Sequence, residues 1–208
     1  MQPWTDTGLR AATLDASRTL LVRDGYKQLS MRKIAAAVGC SVSSIYLYFA
    51  NKDQLVHALI DEGFQRWYEI VVEAASVPEP PLRRLELHCR RYIDFGLEHP
   101  EYYEIMYMLN PPRMARFPKE LFRRAARSMD ILTQLVQECA PELRESDAEA
   151  RVRAHVVWAI LHGVVSTILA ARLDIRLDRD AYIETSIQSA VDMIRQGRPV
   201  ALAVAEGQ

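Results

Sequence analysis

Glycine is scarce in this chain, eight residues in 208, and no glycine-rich loop interrupts it. A phosphate-cradling turn of the kind nucleotide-binding enzymes use is therefore missing. Cysteine is scarcer still. Cys40, Cys89 and Cys139 are an odd number at wide spacing, which argues against a disulfide framework and against a metal site. Cys40 reads as a small apolar residue packed under a turn. No apolar run is read as approaching the roughly 20 residues that span a bilayer, and the opening Met1-Gln-Pro-Trp-Thr-Asp lacks the charged-then-apolar order of a signal peptide. The expectation is a cytoplasmic protein. His57, His88, His99, His155 and His162 offer acid–base groups, but none sits in a recognisable nucleophile, metal or phosphate-binding pattern. The sequence thus nominates no catalytic residue, no metal and no cofactor, and an all-helical enzyme is a weak reading beside a binding protein.

What is present is apolar substance and uneven charge. Half of the residues are hydrophobic, enough for one substantial core and a small satellite domain. The net charge is only −1. Residues 1–52, however, carry seven basic side chains (Arg10, Arg18, Arg23, Lys27, Arg32, Lys33, Lys52) against Asp6, Asp15 and Asp24, a balance of +4 that leaves −5 for the rest. Polyanion binding needs a local positive surface, not a basic protein.

Within that basic stretch, Leu29 to Phe49 reads as two short helices joined by a tight turn. Ser30 is a good N-cap for a helix Met31 to Val38, and Ser41 for a second helix from Val42 to Phe49. Ala35 is small where two crossing helices approach, and Gly39 can adopt the positive φ that the turn needs. Ile34 and Val38 share one face of the first helix, Ile45 and Phe49 one face of the second. Val42, Ser43, Ser44, Tyr46, Leu47 and Tyr48 are then shared between an outer surface and its rim. This is a helix-turn-helix. Small hydroxyls near the start of its second helix suit base edges, while tyrosine hydroxyls and Lys52 suit phosphate oxygens beside the groove.

These residues resemble the DNA-binding domain of the TetR family of bacterial regulators, through Gly25-Tyr26, Ile34-Ala35, Val38-Gly39, Ser41, Ile45-Tyr46, Tyr48-Phe49 and Asn51-Lys52-Asp53-Gln54-Leu55. The resemblance implies that the helix from Val42 enters the major groove, that Arg32 reaches DNA from the preceding helix, and that Tyr46, Tyr48 and Lys52 contact phosphates. With the cap Ser30, the candidate DNA-binding set is Ser30, Arg32, Val42, Ser43, Ser44, Tyr46, Leu47, Tyr48 and Lys52. Later, Glu98-His-Pro-Glu-Tyr-Tyr103 with Met106-Tyr107, and Trp158-Ala-Ile-Leu-His-Gly163, are similar to the C-terminal domain type named for its Trp-His-Gly motif. That similarity implies an all-helical sensing and dimerisation domain.

Periodicity predicts an all-α protein of about nine helices. A first helix spans about Thr7 to Asp24 and stops at Gly25; a fourth, Asp53 to about Ala75, is the natural lever between domains and ends before Pro78, Pro80 and Pro81. Helices five and six cover about Leu82 to His99 and a short piece from Pro100 to Pro111-Pro112; the seventh runs from about Pro118 to Cys139. The eighth, about Asp147 to Leu173, is apolar almost all round and so must be covered on more than one side. The ninth, Arg179 to Gln196, carries one apolar stripe. Three segments are expected: a DNA-binding domain over 1–52, an effector-binding and dimerisation domain over 53–197, and a frayed tail over 198–208.

Helices eight and nine, through Val156, Ile160, Val164, Ile183, Ile187, Val191 and Ile194, are the candidate homodimer interface. Two recognition helices held together read half-sites spaced by turns of the duplex, so an inverted-repeat operator is expected. Tyr92, Phe95, Tyr103, Met106, Tyr107, Trp158 and His162 are the candidate lining for a small apolar or aromatic effector. The leading reading is a ligand-responsive repressor acting on double-stranded DNA; the alternative is a constitutive DNA-binding protein without a small-molecule ligand.

Overall fold

The computed structural model describes residues 6–109, 118–143 and 146–197, and among them the regular structure is all helical, with no strand. Nine α-helices follow one another: α1 (Asp6–Gln28), α2 (Met31–Val38), α3 (Val42–Tyr46), α4 (Lys52–Ser76), α5 (Pro81–Glu98), α6 (Pro100–Tyr103), α7 (Lys119–Cys139), α8 (Asp147–Leu169) and α9 (Arg179–Arg195). A π-helical turn, Glu104–Met108, continues α6, and a 3₁₀ turn, Pro141–Leu143, follows α7. The expected end of α6 at Pro111-Pro112 and the tail over 198–208 lie outside the described residues.

Several boundaries moved for local reasons. Helix α1 does not stop at Gly25 but bends there, where the backbone is non-helical (φ 76°, ψ 165°), and resumes to Gln28. Helix α8 ends at Leu169, four residues early, because Ala171 adopts φ 52° and the amide of Arg172 folds back onto the carbonyl of Thr167 at 2.9 Å. Regular α3 structure stops at Tyr46, since the amides of Tyr48 and Phe49 both turn onto the carbonyl of Ile45 at 3.0 and 3.1 Å. Phe49 nevertheless reaches the core with Ile45, as the i, i+4 spacing requires.

The chain forms two compact units, and their division differs from the expected break at residue 52. The first comprises Met1–Arg66 with His99–Arg124; the second comprises Trp67–Glu98 with Ala125–Gln208. The first unit is built on α1, α2 and α3, whose Leu14, Leu20, Leu21, Ile34, Ala35 and Ile45 bury one another and Leu55, Val56 and Leu59 of α4. Ile105, from far down the chain, completes that core. Beside it Tyr102 packs on α1 and α4. Its hydroxyl donates to Glu62 Oε1 at 2.7 Å and accepts from the Arg18 guanidinium, while Arg18 and Arg66 stand 4.6 and 5.0 Å from its ring. Burial, and then the bond to Glu62, push the Tyr102 hydroxyl up to about 12. Gly63 permits the close approach: a β-carbon there would lie 2.6 Å from Met106 Sδ and 3.1 Å from the Tyr102 ring.

In the second unit α5, α8 and α9 pack together. Arg84 of α5 donates to the Ala75 and Glu79 carbonyls, each at 3.1 Å, and pairs with Glu138 of α7. Arg90 of α5 holds Glu184 of α9 with two bonds of 2.5 and 2.7 Å. Trp67 gathers His88, Tyr92 and Phe95 around it, with ring centroids 5.2 to 5.7 Å away.

This packing divides the expected dimer set between the interior and the surface of the chain. Val164 of α8 and Ile187, Val191 and Ile194 of α9 are buried within the chain itself, where α5, α8 and α9 pack together. Ile160 and Ile183 are half-buried, and Val156 is left exposed. The expectation of no long apolar run is qualified at α8: Ala154 to Ala171 contains no Asp, Glu, Lys or Arg, and the helix is long and apolar enough, by length and composition only, to cross a membrane. Only a third of its most apolar 18-residue window is buried.

Candidate nucleic-acid interface

The turn between α2 and α3 is fixed by its own backbone chemistry. Ser30 accepts from the amide of Lys33 at 3.3 Å, and Gly39 closes α2 at φ 76° with its amide on the Ala35 carbonyl at 2.9 Å. Ser41 accepts from the amide of Ser44 at 3.1 Å. Its hydroxyl also lies 2.8 Å from Ser43 Oγ and 2.7 Å from Ser44 Oγ, so three hydroxyls form one small network at the start of α3. With Ile45 and Phe49 inward, Ser43, Tyr46 and Leu47 face out; Tyr46 is 51% and Leu47 82% exposed. Val42, Ser44 and Tyr48 are half-buried at the rim.

The start of α4 flanks this surface. Asn51 accepts from the amide of Gln54 at 2.8 Å while Gln54 Oε1 accepts from the amide of Ala50 at 3.0 Å, a reciprocal cap that sets the helix direction. Lys52 is only half-buried, yet its ammonium already donates to the Tyr26 carbonyl at 3.0 Å and sits 3.9 Å above the Tyr26 ring. A phosphate contact by Lys52 would therefore use its remaining donors. The Tyr26 hydroxyl bonds to Asp53, and burial followed by that bond pushes it up to about 12. Of the other cations, Arg32 and Lys27 are exposed, whereas Arg23 is spent on Asp24 at 2.7 and 2.9 Å.

The expected effector residues fall in different units. Tyr103, Met106 and Tyr107 belong to the first, where Tyr107 lies 5.1 Å from Tyr103 and edge-on to Phe64 at 5.6 Å. Tyr92, Phe95, Trp158 and His162 belong to the second. There Trp158 and His162 stack at 5.0 Å and 22°, and burial lowers the imidazole of His162. His88 was not among the effector candidates, although it is 2% exposed, its Nδ1 has no hydrogen-bond partner among the described residues, and burial drops it to about 4. Nothing in the local sequence separates it from an ordinary helical histidine. Tyr102 was also missed as a functional position, because its partners Arg18 and Glu62 are 84 and 40 residues away.

Along the outer side of α8 runs a shallow, open, apolar groove lined by Ala148, Arg151, Val152, His155, Val156 and Ala159.

Two family models match the chain: one described as bacterial regulatory proteins of the tetR family, over residues 14–59, and one described as a tetracyclin repressor-like C-terminal domain, over residues 85–190. An uncharacterized helix-turn-helix transcriptional regulator of Haemophilus influenzae is 42% identical over 58 residues, 28% of this chain and 31% of that protein. The matched stretches span about a third of the length of the curated relatives. A TetR-like transcriptional regulator from Rhodococcus sp. RHA1 shares the fold with a TM-score of 0.70 at 18% identity, covering 95% of this chain and 100% of that one. AibR, solved in complex with isovaleryl coenzyme A and operator DNA, matches with a TM-score of 0.66 at 19% identity over 87% of this chain and 97% of its own.

Proposed function

Since the chain belongs to the TetR family and is thus a transcriptional regulator with an N-terminal DNA-binding domain, we propose that it is a ligand-responsive repressor, binding an inverted-repeat operator as a homodimer and released by a small apolar or aromatic effector. The observation that carries the reading is the α2–α3 unit: two capped helices, a left-handed glycine between them, and an outer face of Ser43, Tyr46 and Leu47 that the protomer leaves uncovered. Ser30, Arg32, Val42, Ser44, Tyr48 and Lys52 are proposed around that face as positioning contacts to sugar and phosphate, which fix register without reading sequence.

Dimerisation is assigned to the exposed side of α8, with Val152, Val156, Ala159 and Ile160 at its centre. Support comes from the mismatch between how apolar α8 is and how little of it the protomer buries. A two-fold partner laid on that face would bury a self-complementary patch. Tyr92, Phe95, Trp158 and His162, with His88, are proposed as the effector-facing groups of the second unit. The structural neighbour solved with an acyl-coenzyme A and its operator supports a fold that takes both kinds of ligand. An effector shifts the equilibrium between DNA-competent and released states only by its difference in affinity for the two.

The test is a mobility-shift titration of the full chain on the DNA flanking its own coding region. Selective binding that weakens steeply with rising salt, with protection of two inverted half-sites, is the expected result. Equal affinity for unrelated DNA removes the reading.

A further inference from the structure

The outer face of the α3 turn is unusual in what it offers a base pair. From Cys40 to Ala50 the chain contains no Arg, Lys, Asn, Gln, His, Asp or Glu. The side chains that hydrogen-bond guanine or adenine in pairs, or accept from cytosine, are therefore absent from this segment. Apart from the tyrosine hydroxyls of Tyr46 and Tyr48, three serine hydroxyls remain, and these are already joined through Ser41, whose Oγ accepts from the Ser44 amide and lies within 2.8 Å of both other serine hydroxyls. The most exposed large hydrophobic side chain of the α3 turn is an aliphatic one. Leu47 is 82% exposed, one helical turn beyond exposed Ser43 and next to Tyr46 on the same outward side, and it adds nothing to the core that Ile45 and Phe49 fill.

The only feature of the major groove that an aliphatic side chain recognises is the C5-methyl of thymine. Resting on the DNA-binding reading above, we propose that Leu47 is a specificity-determining residue, packing its isobutyl group against a thymine methyl in each operator half-site. Readout on this face is then chiefly apolar, and the half-site carries a thymine that cytosine or uracil cannot replace without loss. Burial of one methyl group sets the scale at about fourfold in affinity per half-site, about 0.8 kcal/mol.

The experiment uses the full chain and the operator defined by protection of the flanking DNA. Each thymine of one half-site is replaced in turn by deoxyuridine, which removes only the methyl, and affinity is measured for wild type and for Leu47→Ala. Expected is one position where uracil costs wild type about fourfold, and where Leu47→Ala binds thymine and uracil equally, so that the two changes are not additive. Leu47→Ala keeps the wild-type melting temperature because the side chain is outside the core. A wild-type protein indifferent to every uracil, or a penalty that persists unchanged in Leu47→Ala, overturns the assignment while leaving selective operator binding intact. If no selective binding exists at all, both readings fall.

Discussion

His88 and Trp67 show how one buried side chain converts burial into a pH response. The imidazole is 2% exposed, lies edge-on to Trp67, and titrates at about 4 because burial penalises the charged form. An unfolded histidine titrates near 6.5, so between pH 6.5 and 4 the unfolded chain binds more protons than the folded one. Stability contributed by neutral His88 is thus complete above pH 6.5 and drains away towards pH 4, a loss on the order of 3 kcal/mol. In urea titrations, His88→Leu should flatten that part of the wild-type acid slope; equal slopes for the two proteins would refute it. Such a residue is not legible in sequence. Periodicity places His88 on α5, but what surrounds it comes from Trp67, 21 residues earlier.

At the scale of elements, the caps and the turn of the helix-turn-helix were readable, whereas several helix ends and whatever covers a helix were not. Ser30, Ser41 and Gly39 were identifiable because a cap binds an amide three residues away and a left-handed turn favours one residue type. Gly39→Ala should cost about 1 kcal/mol, measured by thermal or chemical unfolding, since an L-residue at φ 76° is strained even though a β-carbon there meets nothing within 4 Å. Ser41→Ala should cost about as much through the lost cap, and also loosen Ser43 and Ser44, so its effect on operator affinity should exceed that of Gly39→Ala once both are compared on folded protein. By contrast, Ile187, Val191 and Ile194 form a clean stripe that the sequence reading assigns to a second subunit. The stripe is met by α5 and α8 of the same chain, and Arg90 to Glu184 fixes which side of α9 turns inward. A hydrophobic period says that a face is buried, not by whom.

For the whole molecule, the proposed pairing through the apolar outer side of α8 is open to a single surface substitution. Val156 is 38% exposed in the protomer, so Val156→Glu should leave folding unaffected while placing a charge in the proposed two-fold contact. Light scattering should then report a dimer for wild type and a monomer for the variant, with operator affinity falling at least tenfold as the proposed paired half-site contacts are lost; a dimeric Val156→Glu would relocate the interface. The division into units was the least legible feature, because the sequence suggests a boundary wherever the helix-turn-helix ends. Ile105 and Tyr102 belong instead to the interior and flank of the first unit, with Tyr102 held by Arg18 and Glu62. This carries a consequence for synthesis on the ribosome. The reading head cannot finish its own interior from the first 66 residues; it waits for a plug encoded some 40 codons later, by which time α5 has also been made. A nascent or prematurely terminated chain that lacks Ile105 thereby lacks a completed interior in its DNA-binding unit.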